Sequence, residues 1–146
     1  MNPFLKAALS YARQGWSVIP LEPRGKNPLV KWKSFQTERA DENQIKKWWT
    51  DWPDANIGVV TGAISGMFVL DVDGEEGQKS IEGRDLRATV TSRTGRGSHY
   101  YFKIPEGRKI ENKVGILKGV DIRGEGGYVV VPPSIHSTGR TYEWTE

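Results

Sequence analysis

The segment GMFVLDVDG, residues 66–74, joins an apolar run to two carboxylates. Met67 to Leu70 has the composition of a buried strand, and the glycine at each end marks a turn. Residues i and i+2 of a strand point to the same face, so Asp71 and Asp73 share a face about 6–7 Å apart along the strand. The segment therefore predicts a buried strand that delivers two carboxylates to one edge of a sheet.

Two neighbouring carboxylates repel each other unless a cation neutralises them, and hard oxygen ligands suit Mg²⁺ or Mn²⁺. The pair is therefore a candidate metal site. A calcium loop of the EF-hand type is a poor alternative, because it needs glycine at its sixth position, where Glu76 stands. Two other interpretations stay open on these residues alone: a phosphatase that forms an aspartyl-phosphate, and a solvated turn without function.

Helical signals dominate the N-terminal side of this segment. Asn2 and Pro3 are a favourable cap and first turn for a helix with an apolar stripe from Phe4 to Ala12. A second helix is predicted to begin at Asp41, with Gln44 in capping-box register. Its consecutive Trp48 and Trp49 do not both fit an inward face, so one is expected to stack on a base or pack on Lys46.

Strand signals dominate the rest of the chain. After a weak helix over 76–87, we predict strands over 88–92, 98–104, 119–123, 128–131 and 141–145, in addition to earlier strands over 16–21, 57–61 and 67–73. Helices first and strands later predict an α+β fold, with helices flanking a mostly antiparallel or mixed sheet. Since no linker divides the sequence, we expect a single domain over residues 1–146.

Composition narrows the class of protein. The chain has no cysteine, which excludes disulfides, thiolate zinc sites and thiol nucleophiles. No apolar run approaches the roughly 18 residues needed to cross a bilayer. The first residues also lack the pattern of a secretory signal. We therefore expect a cytoplasmic protein without a membrane partner.

Charge is distributed unevenly along the chain, although the net charge is only +3. Residues 51–82 contain seven acidic residues against one lysine, and residues 84–123 contain ten basic residues against four acidic ones. An acidic segment followed by a basic one is typical of an enzyme that holds cations and receives a polyanion. On charge alone, two separate solvated faces explain the pattern equally well.

The segment TGRGSHYYF, residues 94–102, is a second candidate element. Glycine-rich turns expose backbone N–H groups that bind phosphate oxygens, and Arg96 adds positive charge. His99 begins a strand and is a candidate donor to a triphosphate oxygen. A tight hairpin with an incidental histidine explains the same residues.

A third candidate is Asp121, which lies in a short apolar strand where an unpaired carboxylate is costly. It therefore needs a partner, which is either a metal ion or an arginine such as Arg123. Beyond it, Ser134 and His136 follow a Pro-Pro turn and are candidates to line a nucleotide pocket.

These elements, in this order, resemble the primase/polymerase branch of the archaeo-eukaryotic primase superfamily. The branch has an apolar strand ending in Asp-x-Asp, then a small-x-His motif, then an apolar residue followed by an acid. Flanking stretches also match. The corresponding segments here are 71–73, 97–99 and 120–121, with flanks at 25–28, 56–58, 61–62, 121–124, 132–134, 139 and 142.

The resemblance implies an RRM-like catalytic core that joins nucleotides on a single-stranded DNA template by a two-metal mechanism with Mg²⁺ or Mn²⁺. It implies that Asp71, Asp73 and Asp121 are catalytic and bind the metals, and that nucleoside triphosphates are substrates. It also implies that the chain is the N-terminal module of a longer replication protein with a helicase domain. The nucleotide-binding candidates are His99, Ser98, Gly97, Arg96, Arg123 and Lys26.

Two other functions stay open at this level. A metal-dependent phosphohydrolase or nuclease would use the same carboxylates. A non-catalytic nucleic-acid-binding module would use the basic stretch and not the aspartates.

Overall fold

The computed structural model describes residues 1–145 and has an α+β architecture, as the sequence predicts. The strands form two sheets, and all pairings between named strands are antiparallel. In chain order the elements are α1 (Pro3–Arg13), β1 (Ser17–Leu21), a short 3-10 helix (Lys33–Gln36), α2 (Glu42–Asp51), β2 (Asn56–Val60), β3 (Met67–Asp73), α3 (Gly74–Ile81), β4 (Val90–Arg93), β5 (Gly97–Lys103), β6 (Lys113–Leu117), β7 (Val120–Arg123), β8 (Tyr128–Val131) and β9 (Glu143–Trp144).

The smaller sheet has the order β1-β2-β8, and the larger has the order β6-β7-β3-β5-β4-β9. The strand with the two aspartates, β3, therefore lies inside the larger sheet between β7 and β5. Across residues 1–145, no helix has both the length and the apolar character that a membrane span requires.

Both N-terminal helices begin at the predicted caps. The Asn2 side chain accepts from the Phe4 N–H at 2.8 Å, and the Asp41 side chain accepts from the Gln44 N–H at 2.8 Å. Each cap satisfies an N–H that has no partner inside its helix.

The prediction that Trp48 or Trp49 faces outward is wrong, because both side chains are buried. Trp48 packs edge-on against Phe35 with ring centroids 5.3 Å apart. Trp49 donates its indole N–H to the carbonyl of Ala55 at 3.0 Å. The apolar face of α2 is wide enough for two consecutive side chains, so neither tryptophan is available for stacking on a base.

Helix α3 and strand β6 depart most from the sequence prediction. Helix α3 begins at Gly74 and ends at Ile81, because Glu82 adopts extended dihedral angles and Gly83 has a φ of 78°. Strand β6 has no counterpart among the predicted strands. It is exposed along most of its length and contains Gly115 at a φ of 69°, so it lacks the alternating pattern by which strands are predicted.

The two faces of the larger sheet are covered by different elements. On the face that we call the site face, Met67, Val69 and Tyr101 join a core formed with α1, α2 and the smaller sheet. On the opposite face, Val72 and Val120 pack with Ile81 of α3. Because β3 is anchored on both faces, its register is fixed by burial.

A buried amide ties the loop after β1 to the segment after β8. Asn56 donates from Nδ2 to the carbonyls of Gly25 (2.9 Å) and Ile135 (2.8 Å), and its Oδ1 accepts from the Ile135 N–H (2.9 Å). Asn56 is 1% exposed, so the amide that makes these three bonds is itself shielded from water.

We expect Asn56→Ala to lower the free energy of unfolding by about 3 kcal/mol, because it leaves buried backbone groups without partners. Urea unfolding followed by tryptophan fluorescence measures this. Asn43→Ala is the control, since Asn43 is exposed on α2 and should stay within about 0.5 kcal/mol of wild type. Equal stabilities for the two variants would contradict the role of Asn56.

Candidate active site

The predicted acidic residues meet on one face of the larger sheet. Asp71 of β3 is paired directly with Asp121 of β7 on one side and with His99 of β5 on the other. Directly opposed residues in an antiparallel pair point to the same face, and Asp73 joins them two residues further along β3. Strand register therefore assembles three carboxylates and an imidazole.

Asp71 lies at the centre of this group and has two cationic or polar partners. Its Oδ1 lies 3.2 Å from His99 Nε2, and its Oδ2 lies 3.5 Å from Arg123 Nη2. Burial by itself would raise the pKa of the Asp71 carboxyl. The His99 hydrogen bond, followed by the positive charges of His99 and Arg123, outweighs burial, so the pKa lies below its ordinary value. Asp71 is therefore held ionised.

Asp121 has an arginine partner, one of the two possibilities that the sequence leaves open. Arg123 Nη2 donates to its Oδ2 at 3.2 Å, and the backbone N–H of Gly115 donates to its Oδ1 at 2.7 Å. The Gly115 contact arises where the β6–β7 pairing shifts register between Lys113 and Leu117. The edge hairpin therefore holds the third carboxylate in place.

Asp73 is the unpaired member of the group. Its carboxylate accepts no hydrogen bond and forms no salt bridge with any residue in the described part of the chain, 1–145. Partial burial and then the negative charge of Asp71 raise the pKa of the Asp73 carboxyl. Its charge is thus destabilising in this form of the protein, and a cation at this position would relieve that cost.

His99 is almost fully buried, at 5% exposure. Its Nε2 contacts Asp71, while its Nδ1 is buried without a hydrogen-bond partner within residues 1–145. The ring therefore positions Asp71 in this structure. A contact between His99 and a triphosphate requires the imidazole to exchange Asp71 for the phosphate.

The N–H groups of the glycine turn before β5 are hydrogen-bonded by a side chain of the same turn, Thr94. Thr94 Oγ1 accepts from the N–H of Gly97 at 3.0 Å and more weakly from that of Arg96 at 3.4 Å. These two N–H groups are consequently not free to form the phosphate-binding nest that the sequence predicts. Gly97 lies opposite Asp73, and a Cβ there would clash with the carbonyl oxygen of Val72. Glycine at 97 is needed for close strand packing.

Ser98 is directed away from the acidic group. It pairs with Val72, which packs against α3 on the opposite face of the sheet. Adjacent residues on a strand point to opposite faces, so His99 and Ser98 cannot both face the carboxylates. The placement gives no support to the predicted nucleotide contact of the Ser98 side chain.

A cleft of about 1030 Å³ opens over Asp71 and Asp73. Four basic side chains line it from separate parts of the chain: Arg24, Lys26, Arg96 and Arg123. Arg24 was not predicted from the sequence, where its only signal is the turn-rich basic loop that also contains Lys26. Asn112 and Tyr142 also line the cleft and were not predicted from the sequence.

The segment after β8 contributes one of its two predicted pocket residues. His136 lines the cleft, with its Nδ1 close to Thr138 Oγ1 at 2.9 Å. The prediction for Ser134 is wrong, since this residue is fully buried and its Oγ accepts from the Ile57 N–H at 2.8 Å. Ser134 therefore holds the backbone of β2.

The donor set suits a hard divalent cation, but it is not assembled as a ready metal site. Within residues 1–145, no three His, Asp or Glu side chains converge closely enough to hold an ion as they stand. Arg123 lies between two of the three carboxylates. The unpaired Asp73 shows that the group still lacks positive charge, so carboxylate chemistry at this position fits Mg²⁺ or Mn²⁺.

Fold and site together define an α+β domain in which Asp71 and Asp73 line a basic cleft, and Asp121 lies beside Asp71 on β7 without lining the cleft itself. The family model described as bifunctional DNA primase/polymerase, N-terminal, matches residues 8–146. The chain belongs to this family, which confirms the resemblance found in the sequence. Family membership implies primase/polymerase activity and suggests a nucleotidyltransferase that uses divalent metal, DNA and nucleotides. A search of curated proteins gave no match.

Because the charge of Asp73 is unfavourable without a cation, we expect Asp73→Asn to stabilise the metal-free protein near neutral pH. Asp73 is exposed, so solvent screening limits the gain to less than about 1 kcal/mol. Because the pKa of Asp73 is higher in the folded than in the unfolded protein, the free energy of unfolding falls as the pH rises and this carboxyl ionises. The gain should therefore vanish well below the ordinary aspartate pKa of about 3.9.

Urea unfolding in EDTA, near neutral pH and again well below the ordinary aspartate pKa, measures the change in the free energy of unfolding. Asp54→Asn removes an exposed carboxylate outside the cleft and should give no gain. Destabilisation by Asp73→Asn near neutral pH would show that Asp73 has a favourable partner.

Proposed function

We propose that this chain catalyses template-directed nucleotidyl transfer, as a DNA primase, a DNA polymerase or both. The single observation that carries the proposal is the row of Asp121, Asp71 and His99 across three strands, with unpaired Asp73 beside it. Asp71, Asp73 and His99 of this group line a cleft that four basic side chains also line. Such a cleft suits substrates that are themselves polyanions, namely nucleoside triphosphates and a single-stranded DNA template.

Asp71, Asp73 and Asp121 would hold two Mg²⁺ or Mn²⁺ ions. When bound, such ions supply charge neutralisation at the phosphates and activation of the attacking hydroxyl. Phosphoryl transfer otherwise depends on positioning and electrostatics, and little covalent help is needed from the protein. The side chains of this chain therefore act by orienting the triphosphate and the template.

Basic residues on both sides of the cleft are suited to hold the triphosphate. Arg96 lies beside Asp73, and Lys26 lies in the loop that Asn56 ties down through Gly25. Because they approach from different elements, they can fix the orientation of the phosphates as well as their position. We assign Arg123 and His99 to phosphate contacts in the substrate-bound state, after they leave Asp71.

We also propose that residues 1–146 form one catalytic domain and act as the N-terminal module of a longer replication protein with a helicase domain. The family model that matches this chain describes an N-terminal domain.

Of the two competing functions, a non-catalytic nucleic-acid-binding module is the less consistent with the site. An unpaired carboxylate beside two others repels a polyanion and lowers stability, which serves no purpose in a module that only binds DNA. A nuclease or phosphohydrolase would use the same carboxylates, and its products distinguish it.

We expect wild-type protein to extend a primed DNA template when Mg²⁺ or Mn²⁺ and nucleotides are present. The variant Asp71→Asn/Asp73→Asn should lose roughly a thousandfold in rate, because charge stabilisation is the main catalytic contribution. Asp51→Asn/Asp54→Asn is the control, since it removes two exposed carboxylates outside the cleft and should extend normally.

Gel analysis of the primer separates the alternatives. Shortening of the primer by wild type would show that the chain is a nuclease and would contradict the proposal. If all three proteins bind the template and none changes the primer length, the chain is a non-catalytic nucleic-acid-binding module and the proposal is wrong.

A further inference from the structure

Arg123 lies where a cation would be expected in the acidic group. Its Nη2 contacts Oδ2 of Asp71 at 3.5 Å and Oδ2 of Asp121 at 3.2 Å. One nitrogen thus bridges two carboxylates that are direct cross-strand partners on β3 and β7. A divalent ion shared by Asp71 and Asp121 would need the same oxygens, so Arg123 and the ion compete.

The bridge is loose enough to be displaced. Strong charge-assisted hydrogen bonds between nitrogen and carboxylate measure about 2.7–2.9 Å, and both Arg123 contacts are longer. Both use one guanidinium nitrogen, whereas the strongest arginine–carboxylate pairs use two. Arg123 therefore neutralises the carboxylates without the geometry of a tight structural ion pair.

The guanidinium also has an alternative partner within reach. Its Nε and Nη1 form no hydrogen bond within residues 1–145, and 28% of the side chain is exposed to the cleft. The cleft also contains Arg24, Lys26 and Arg96. A triphosphate attracted by these residues would offer oxygens that suit a guanidinium better than the present bridge does.

We propose that Arg123 is an internal counter-ion that occupies the cation position in the free protein and turns to the triphosphate when substrate binds. Metal and triphosphate binding are then coupled through one side chain. A metal ion would displace Arg123 from the carboxylates and leave it free to contact the triphosphate. A bound triphosphate would attract Arg123 and leave the carboxylates free to bind metal. The coupling is reciprocal, as linkage requires. This inference rests on the proposed function, since it assumes that Asp71 and Asp121 bind metal.

The first test measures Mn²⁺ affinity without nucleotide, by electron paramagnetic resonance of free Mn²⁺. Removing the competitor in Arg123→Gln should tighten Mn²⁺ binding about tenfold. Arg96→Gln is the matched control, because it removes the same charge from the same cleft without breaking a bridge. It should tighten binding less than threefold.

Three outcomes are distinguishable. If Arg123→Gln tightens Mn²⁺ binding no more than Arg96→Gln does, the counter-ion role is wrong while the metal site stands. If Asp71→Asn binds Mn²⁺ as wild type does, the metal site and the proposed function are wrong. If the glutamine variant does not fold, Arg123→Met removes the same charge, and Mn²⁺ binding no tighter than that of Arg96→Gln would likewise overturn the inference.

The second test measures inorganic tripolyphosphate binding in EDTA by calorimetry. Asp121→Asn should tighten binding several-fold, because it frees Arg123 to contact phosphate. That gain should be absent when Asp121→Asn is made in the Arg123→Gln background. An equal gain in both backgrounds would mean that only the loss of negative charge matters, and would contradict the proposed movement of Arg123.

Discussion

The site depends on the contact of the Asp71 carboxylate with His99 of β5 and Arg123 of β7. It exists because β3 lies between β5 and β7 in one particular register. A shift of one residue would turn Asp71 to the α3 face and bring Val72 to the cleft. The chemistry of the site therefore rests on the packing that fixes β3.

That packing explains how the protein tolerates a repulsive cluster. On the site face of β3, Met67 and Val69 are buried in the main core, Asp71 is half-buried and Asp73 is exposed. The apolar half of the strand fixes the position of the acidic half, so the carboxylates cannot separate to relieve their repulsion. His99 and Arg123 offset part of this cost at Asp71, whereas Asp73 retains it.

Local signals predicted much of this structure. The caps at Asn2 and Asp41, the strand from Met67 to Asp73 and the α+β class depend on neighbouring residues, and all are confirmed. The order of three short motifs identified the family. The alternation of strands could also have excluded Ser98 from the site, since His99 next to it was assigned to the cleft.

The features that sequence reasoning missed are set by contacts between distant segments. Asn56 positions the loop of Arg24 and Lys26 through bonds that no local pattern reveals. Strand β6 depends on its pairing with β7, and the burial of both Trp48 and Trp49 depends on the core around α2. That Asp121 is paired with Arg123 follows only from the geometry of the folded sheet.

Anomalous diffraction from crystals grown with Mn²⁺ and a non-hydrolysable nucleoside triphosphate tests the central claim most directly. Manganese coordinated by Asp71, Asp73 and Asp121, with the Arg123 guanidinium on phosphate oxygens, is the expected result. Manganese bound elsewhere on the chain, while Asp71 keeps its contacts with His99 and Arg123, would contradict the account.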